Sequence, residues 1–422
     1  MQSIVRLSPS INNDSSNNSR FVFILFCIVI IFQITALKYI WSLENVSRIV
    51  NLFALITLVP YAFIAVGTEY HPKKIWYYYL APGIFIFCGM FLNISLGVIS
   101  NSKLISIYGL TLPWVIYLII PGIIKKKEID TQILWKFYYY FMLCSNIFGI
   151  LDYILMYYGV SNLRVLNTPF GVFLGGSFSL LYMLEDGAAH YRYYSCFMEP
   201  GTLAMFLLPA ISYAFFHKKY FGLLVFLIAF FLTDSLGGII SLLILIIIIL
   251  FLVLNQYKKY LLFGMSSLFV ITLILWFNYG GILLDRYDNK NNSATVRENN
   301  LTNTIANLPL LLINNPLGIK LVESTESFEK NKAYIGSNFS PVNYLQYGGI
   351  LSFVGYVICL VVSLSVSLMS ILRNNLLLEQ KVVFSSIIVL FPFIFQRTTV
   401  WESALFAFLF APTIIKAIHL AK

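Results

Sequence analysis

The feature that most limits this chain is the number of apolar runs close in length to the thickness of a bilayer. A helix needs about 20 residues to cross a hydrocarbon core of roughly 30 Å. The 422-residue sequence offers twelve such runs, at 21–41, 49–67, 75–97, 104–124, 133–158, 201–217, 220–233, 237–254, 260–279, 344–371, 382–395 and 399–417. Hydrophobic residues make up 59% of the chain and charged residues 11%, more apolar surface than a soluble core can hide. The expected class is all-α: a polytopic integral membrane protein with about twelve transmembrane helices. Two sizeable loops, about 159–200 and 280–343, join them on one face. Residues 1–20, polar and rich in Asn and Ser, read as a disordered cytoplasmic tail, and 21–422 as a single transmembrane domain.

The basic residues set the orientation. With the N-terminus in the cytoplasm, Lys73-Lys74, Lys125 to Lys127, Lys218-Lys219, Lys258-Lys259, Arg373 with Lys381, and Lys422 all fall inside. The short outward turns hold little, Arg48 and Lys103 besides the Arg397 considered below, in keeping with the positive-inside rule. The net charge of +10 is thereby accounted for without nucleic acid. This threading forces two decisions. Residues 219–254 would form a helix of about 54 Å, too long for one crossing, so the chain breaks at Thr233 to Gly238, "TDSLGG". Counting Pro169 to Leu184 as a span would invert every Lys cluster after it. That stretch therefore reads as re-entrant or interfacial, packed on the outer side of the bundle.

Polar groups at membrane depth collect toward the outer face: Arg164, Arg192, Glu199, Asp234, Ser235, Arg286, Arg297, Gln396, Arg397 and Glu402. A carrier would place such groups near the midplane between two related halves, and the sequence shows neither feature. Between Asp285 and Lys332 six basic and six acidic residues balance. Anion binding would thus depend on where particular arginines sit. Arginine suits phosphate because its planar fork binds oxygens in pairs and keeps its charge. The five cysteines form no CxxC pair and the four histidines have no ligand spacing, so no metal or other cofactor is expected.

Four segments, in order and on one face, carry a likeness to a known family: "YRYYSCFMEPG", "FLTDSLGGIISLLILII", "ATVRENNLTNTIANLPLLLINNPLGI" and "SNFSPVNYLQYGGILSFVGY". Together they span roughly 190–360, and the chain resembles the O-antigen polymerase and ligase superfamily of membrane glycosyltransferases. Two departures matter. Ligases of that superfamily typically keep a histidine in the large outer loop, whereas here no His lies between Trp276 and Lys416, and Asn338 and Asn343 occupy that region. The turn that is often Thr-x-Ser-Arg-Gly-Gly has Leu236 before the glycines. The first departure favours a polymerase over a ligase.

The resemblance implies transfer of a glycan from undecaprenyl diphosphate to a hydroxyl of a second lipid-linked repeat unit, on the outer face of the cytoplasmic membrane. It also implies a chain-length regulator as a partner, with membrane lipids around the protein. In that reaction Arg192 and Arg297 would stabilise the departing diphosphate and Glu199 would act as general base. Arg397, Arg164, Arg286, Gln396, Asn338 and Tyr344 would contact substrate. Each has a plainer alternative: Arg192 as an interfacial side chain, Glu199 as a cap on the following helix, Arg397 as the partner of Glu402. A ligase of the same superfamily and a polysaccharide-unit flippase are the rival functions.

Overall fold

The computed structural model describes residues 13–43, 46, 49–50, 81–97, 111–117, 119–120, 131–160, 164–168, 171–183, 193–253, 306–314, 316–318, 339–372, 376–395, 397, 400 and 403–420. The expected span 260–279, all but the first two residues of 49–67, and most of the loop 280–343 lie outside these residues. The chain is mostly helical. α1 (Asn13–Ile28) runs on into a π-helical turn, Val29–Ile34, and is followed by the short α2 (Leu37–Ile40). α3 (Ala81–Ser95) and α4 (Thr131–Tyr157) come next. After a small sheet follow α5 (Pro200–Phe216), α6 (Tyr220–Leu232) and α7 (Leu236–Val253). The short α8 (Leu308–Asn314) precedes α9 (Ser340–Ile371). α10 (Leu378–Leu390) continues through a 3-10 turn, Phe391–Phe395, and α11 (Ala404–Leu420) ends the fold.

Among the described residues three helices are long and apolar enough to cross a membrane: 131–157, 340–371 and 378–395. Several shorter apolar helices pack with them, α5, α6, α7 and α11 included. This composition fits a membrane protein.

The bundle packs through aromatic rings inside and small residues where backbones approach. Trp135 of α4 stacks on Tyr213 of α5 with ring centroids 5.8 Å apart, and Phe206 of α5 meets Phe406 of α11 at 4.8 Å. Ser212 and Ser385 share a hydrogen bond of 2.7 Å between α5 and α10. Small residues let helices close up where apolar side chains gain little by leaving lipid. α3 and α9 show this most fully: a Cβ on Gly89 would overlap the Gly348 carbonyl, and one on Gly355 would crowd the Pro82 carbonyl. Ser352 donates across the same seam to the Ile86 carbonyl at 2.8 Å.

Breaks in the helices occur where their freed backbone groups find partners, as an apolar setting demands. α6 and α7 separate inside the expected "TDSLGG". Thr233 donates from Oγ1 to the Phe230 carbonyl at 2.7 Å, Asp234 takes a left-handed φ of 48°, and Ser235 Oγ accepts from Gly238 N at 3.3 Å. The expected span 21–41 is interrupted at Thr35, beyond which Ala36 N–H donates to the Cys196 carbonyl at 2.6 Å. α9 kinks at Gly349, with φ 64° and ψ −163°, a conformation essentially restricted to glycine. There Ile350 N–H donates to the Pro316 carbonyl at 2.9 Å, and Asn93 of α3 donates from Nδ2 to the Tyr347 carbonyl at 3.0 Å.

The all-α expectation needs one correction. Residues 164–183, expected to hold a re-entrant or interfacial segment in a helical loop, form a three-stranded antiparallel sheet. Its strands are β1 (Arg164–Thr168), β2 (Gly171–Gly175) and β3 (Leu180–Met183), in the order β1-β2-β3. Arg164 lies opposite Gly175, and Thr168 opposite Gly171. Gly175-Gly176 interrupts any helical run, and the Asp152 carboxylate of α4 accepts from Phe178 N and Ser179 N at 3.0 and 3.1 Å, fixing the β2–β3 turn. Strands of this length fall well short of the roughly 9–11 residues needed to cross a bilayer.

The kink yields a direct test. Gly349→Ala would force a Cβ onto the Pro316 carbonyl oxygen in a glycine-only conformation. The expected loss is about 1–3 kcal/mol, read as a lower melting temperature of the purified protein in detergent. Gly83→Ala, where a Cβ meets nothing within 4 Å, should leave melting unchanged or slightly raised. Equal melting of the two variants would remove the kink from the account of stability.

Candidate functional site

One end of the bundle gathers the irregular backbone. The segment 193–199 crosses it, held by four separate elements. Tyr193 Oη donates to Asn146 Oδ1 of α4 at 3.1 Å, and a Cβ on Gly149 would crowd that hydroxyl. Ser195, left-handed at φ 49°, donates from Oγ to the Ser145 carbonyl at 3.1 Å. Its own carbonyl accepts from Leu180 N of β3 at 2.9 Å. Tyr193 N–H donates to the Leu232 carbonyl at the end of α6 at 3.3 Å, and the Cys196 carbonyl accepts from Ala36. Few of these contacts involve neighbours in sequence, so the segment's path is a product of tertiary packing.

The path delivers Glu199 to the start of α5. Glu199 is extended, at φ −149° and ψ 136°, and its carbonyl accepts from Leu203 N at 3.0 Å. Pro200 occupies the first helical turn, where its missing N–H costs nothing. The Glu199 side chain does not cap the helix. It reaches instead to Arg397, which follows the 3-10 turn of α10: Nη1 donates to Glu199 Oε2 in an ion pair. The guanidinium lies against Gly201, where a Cβ would overlap Nη2. The backbone carbonyl of Arg397 accepts from Ser340 Oγ at the start of α9, and beside it Phe339 stacks on Phe395 with centroids 5.5 Å apart.

Exposure of the two side chains differs in a useful way. The Arg397 side chain is 11% exposed and that of Glu199 36%. The cation is sunk at the helix start, with the carboxylate nearer the surface. A buried cation at a membrane edge is expensive unless paired, and Glu199 supplies the charge. The starts of α5 and α9 lie at the same place, and each helix N-terminus adds roughly half a unit of positive charge. Among the described residues, one carboxylate thus faces one guanidinium beside the starts of two helices.

The expected site residues divide as follows. Glu199 and Arg397 are brought together, although 198 positions separate them. The expected alternative partner Glu402 lies outside the described residues, as do Arg192, Arg297, Arg286, Gln396 and Asn338. Arg164 is exposed at the first position of β1. Tyr344 is fully buried: its hydroxyl accepts from Trp114 Nε1 at 3.2 Å and its ring stacks on Tyr356 at 4.2 Å. Tyr344 is thus a packed side chain of the bundle in this structure. Sequence reasoning missed Gly201 and Ser340 as neighbours of the cation and Asp152 as the anchor of the sheet. Compared with known proteins, the chain matches no family model and no curated protein.

Removal of one member of the pair should cost more than removal of both, because the survivor keeps its desolvation penalty. Glu199→Gln, which leaves the buried Arg397 unpaired, is expected to lower the melting temperature further than Glu199→Gln combined with Arg397→Met. The cycle should give a coupling of about 0.5–3 kcal/mol. Additive effects would show that the two groups do not interact in the folded protein.

Proposed function

We propose that this protein is a membrane glycosyltransferase that lengthens a lipid-linked surface polysaccharide, as O-antigen polymerases do. One observation carries the reading: segments that resemble that superfamily, scattered along the sequence, pack on shared elements, and two of them meet at Arg397. Glu199 to Gly201 hold Arg397, Ser340 of the "SNFSPVNY" segment holds the Arg397 carbonyl, and Leu232, just before "TDSLGG", bonds to Tyr193. Pro316 to Gly318 of the "NPLG" segment pack on the Gly349 kink of the same α9. A guanidinium there suits a diphosphate leaving group.

In this reading the acceptor hydroxyl attacks the anomeric carbon of the donor glycan, and the bond from that carbon to the diphosphate oxygen breaks. The electron pair stays on undecaprenyl diphosphate, and the hydroxyl proton passes to that leaving diphosphate or to water. Arg397, with the helix starts beside it, stabilises that growing charge. Arg192 and Arg297 are proposed to complete the phosphate grip. The bundle would cross the cytoplasmic membrane about twelve times. Lys218, Lys219 and Lys381 lie at the end where Thr131 bonds to Glu379, and positive-inside placement makes that the cytoplasmic end. The Arg397 end then faces outward, where lipid tails can enter from the outer leaflet.

Deletion of the gene in its host, with surface glycans displayed on a gel, separates the candidates. Loss of a polymerase leaves single repeat units on the core, loss of a ligase leaves none attached, and loss of a flippase traps units on the inner face. Complementation with Arg192→Ala, Arg297→Ala or Arg397→Ala should restore inserted protein without long chains; long chains from all three variants would end the phosphate assignment. The sequence contains no Asp-x-Asp triplet, and activity is expected to persist in EDTA. Loss of activity that Mg²⁺ reverses would overturn a metal-independent mechanism.

A further inference from the structure

We propose that Glu199 is the positioning residue of Arg397 rather than a general base, and that Gly201 is the spacer that sets where the guanidinium lies. This inference rests on the polymerase reading above.

Three observations lead to it. The Glu199 carboxylate is engaged by Arg397 Nη1 and takes no part in capping α5. The oxygen that accepts from the guanidinium is thereby occupied and not open to an acceptor hydroxyl. Second, Arg397 stands on the non-helical link after Phe391–Phe395, with its backbone carbonyl fastened by Ser340. A long side chain on a fastened backbone still has several torsions to fix, and an ion pair at its tip fixes them. Third, the face of α5 under the guanidinium is bare because residue 201 has no side chain; a single methyl group there would overlap Nη2.

The run Glu-Pro-Gly at 199–201 thereby acquires three separable roles. Glu199 orients the cation from its more exposed side. Pro200 starts the helix in a position that needs no N–H donor. Gly201 lets the guanidinium settle directly on the first turn of α5. Arg397 is the group that meets the substrate, and Glu199 and Gly201 act through it. The motif is explained by a residue that lies outside the stretch where the motif occurs.

The test uses the full-length protein reconstituted with lipid-linked repeat units, and compares kcat and KM from acidic to mildly alkaline pH. Glu199→Gln is expected to lower kcat/KM while the shape of the pH profile stays that of the wild type. Glu199→Asp should recover part of the loss. Added to Arg397→Ala, Glu199→Gln should bring no further loss. Gly201→Ala, which keeps both charges, should cost about a hundredfold through displacement of the guanidinium. Disappearance of the acidic limb in Glu199→Gln, or a loss that multiplies with that of Arg397→Ala, would overturn the positioning role and restore the base. A wild-type rate from Gly201→Ala would overturn the spacer, and this variant decides even where the charge variants fail to fold. Wild-type protein that lengthens no chain would overturn the polymerase reading and this inference together, whereas active wild type with independent variants would overturn the inference alone.

Discussion

A cation sunk at the edge of an apolar bundle must be met by an opposite charge, and here that demand organises a whole end of the molecule. Arg397 comes from the link after α10, Glu199 from the start of α5, and Ser340 from the start of α9. Three helix termini are thereby tied at one point. The tie is polar, and its directionality sets it apart from the greasy contacts along the helices. Apolar side chains between Trp135, Tyr213 and Phe410 decide that the helices pack; the ion pair decides which ends coincide. The approach to Glu199 is equally constrained, because each irregular backbone group from Tyr193 to Cys196 that bonds outward finds a partner on a different element.

The same economy governs the seam between α3 and α9. Gly89, Gly348 and Gly355 remove side chains where the backbones meet, and Ser352 and Asn93 add hydrogen bonds across the gap. The kink at Gly349 belongs to this seam. It frees the Ile350 N–H, which the Pro316 carbonyl takes up, so the "NPLG" turn is part of the packing of α9. Close approach, a broken helix and a docked turn are consequences of the same small residues.

Much of the helical layout was legible from periodic and compositional signals. Asp234, Ser235 and the glycines at 237 and 238 marked the break between α6 and α7, because turn chemistry is local. The lysines at 218 and 219 marked the turn between α5 and α6. The behaviour of 169–184 was legible only as a count of crossings: charge placement excluded a span, but nothing local identified strands, whose turn is fixed by Asp152 from a different element. At the site, Glu199 and Arg397 were visible as misplaced charges, yet their pairing was not. Glu402 was the nearer candidate in sequence, and 198 positions of chain separate Arg397 from Glu199. Nothing local gave Gly201 a role, because the guanidinium resting on it comes from elsewhere. Tyr344 sat in a suggestive motif, but burial against Trp114 and Tyr356 is a tertiary outcome.

The sheet between α4 and α5 has a consequence for how such a protein can diversify. A meander that returns the chain to the side it left can change its strands and turns without altering the direction of any helix after it. The opposite end has no comparable slack between α5 and α6, whose junction is only 217–219, with Lys218 already in a left-handed conformation. Novelty in shape is therefore cheap on one end and costly on the other. Relatives built on this plan should differ most in the ornament around the fastened cation, while the turns beneath them stay short.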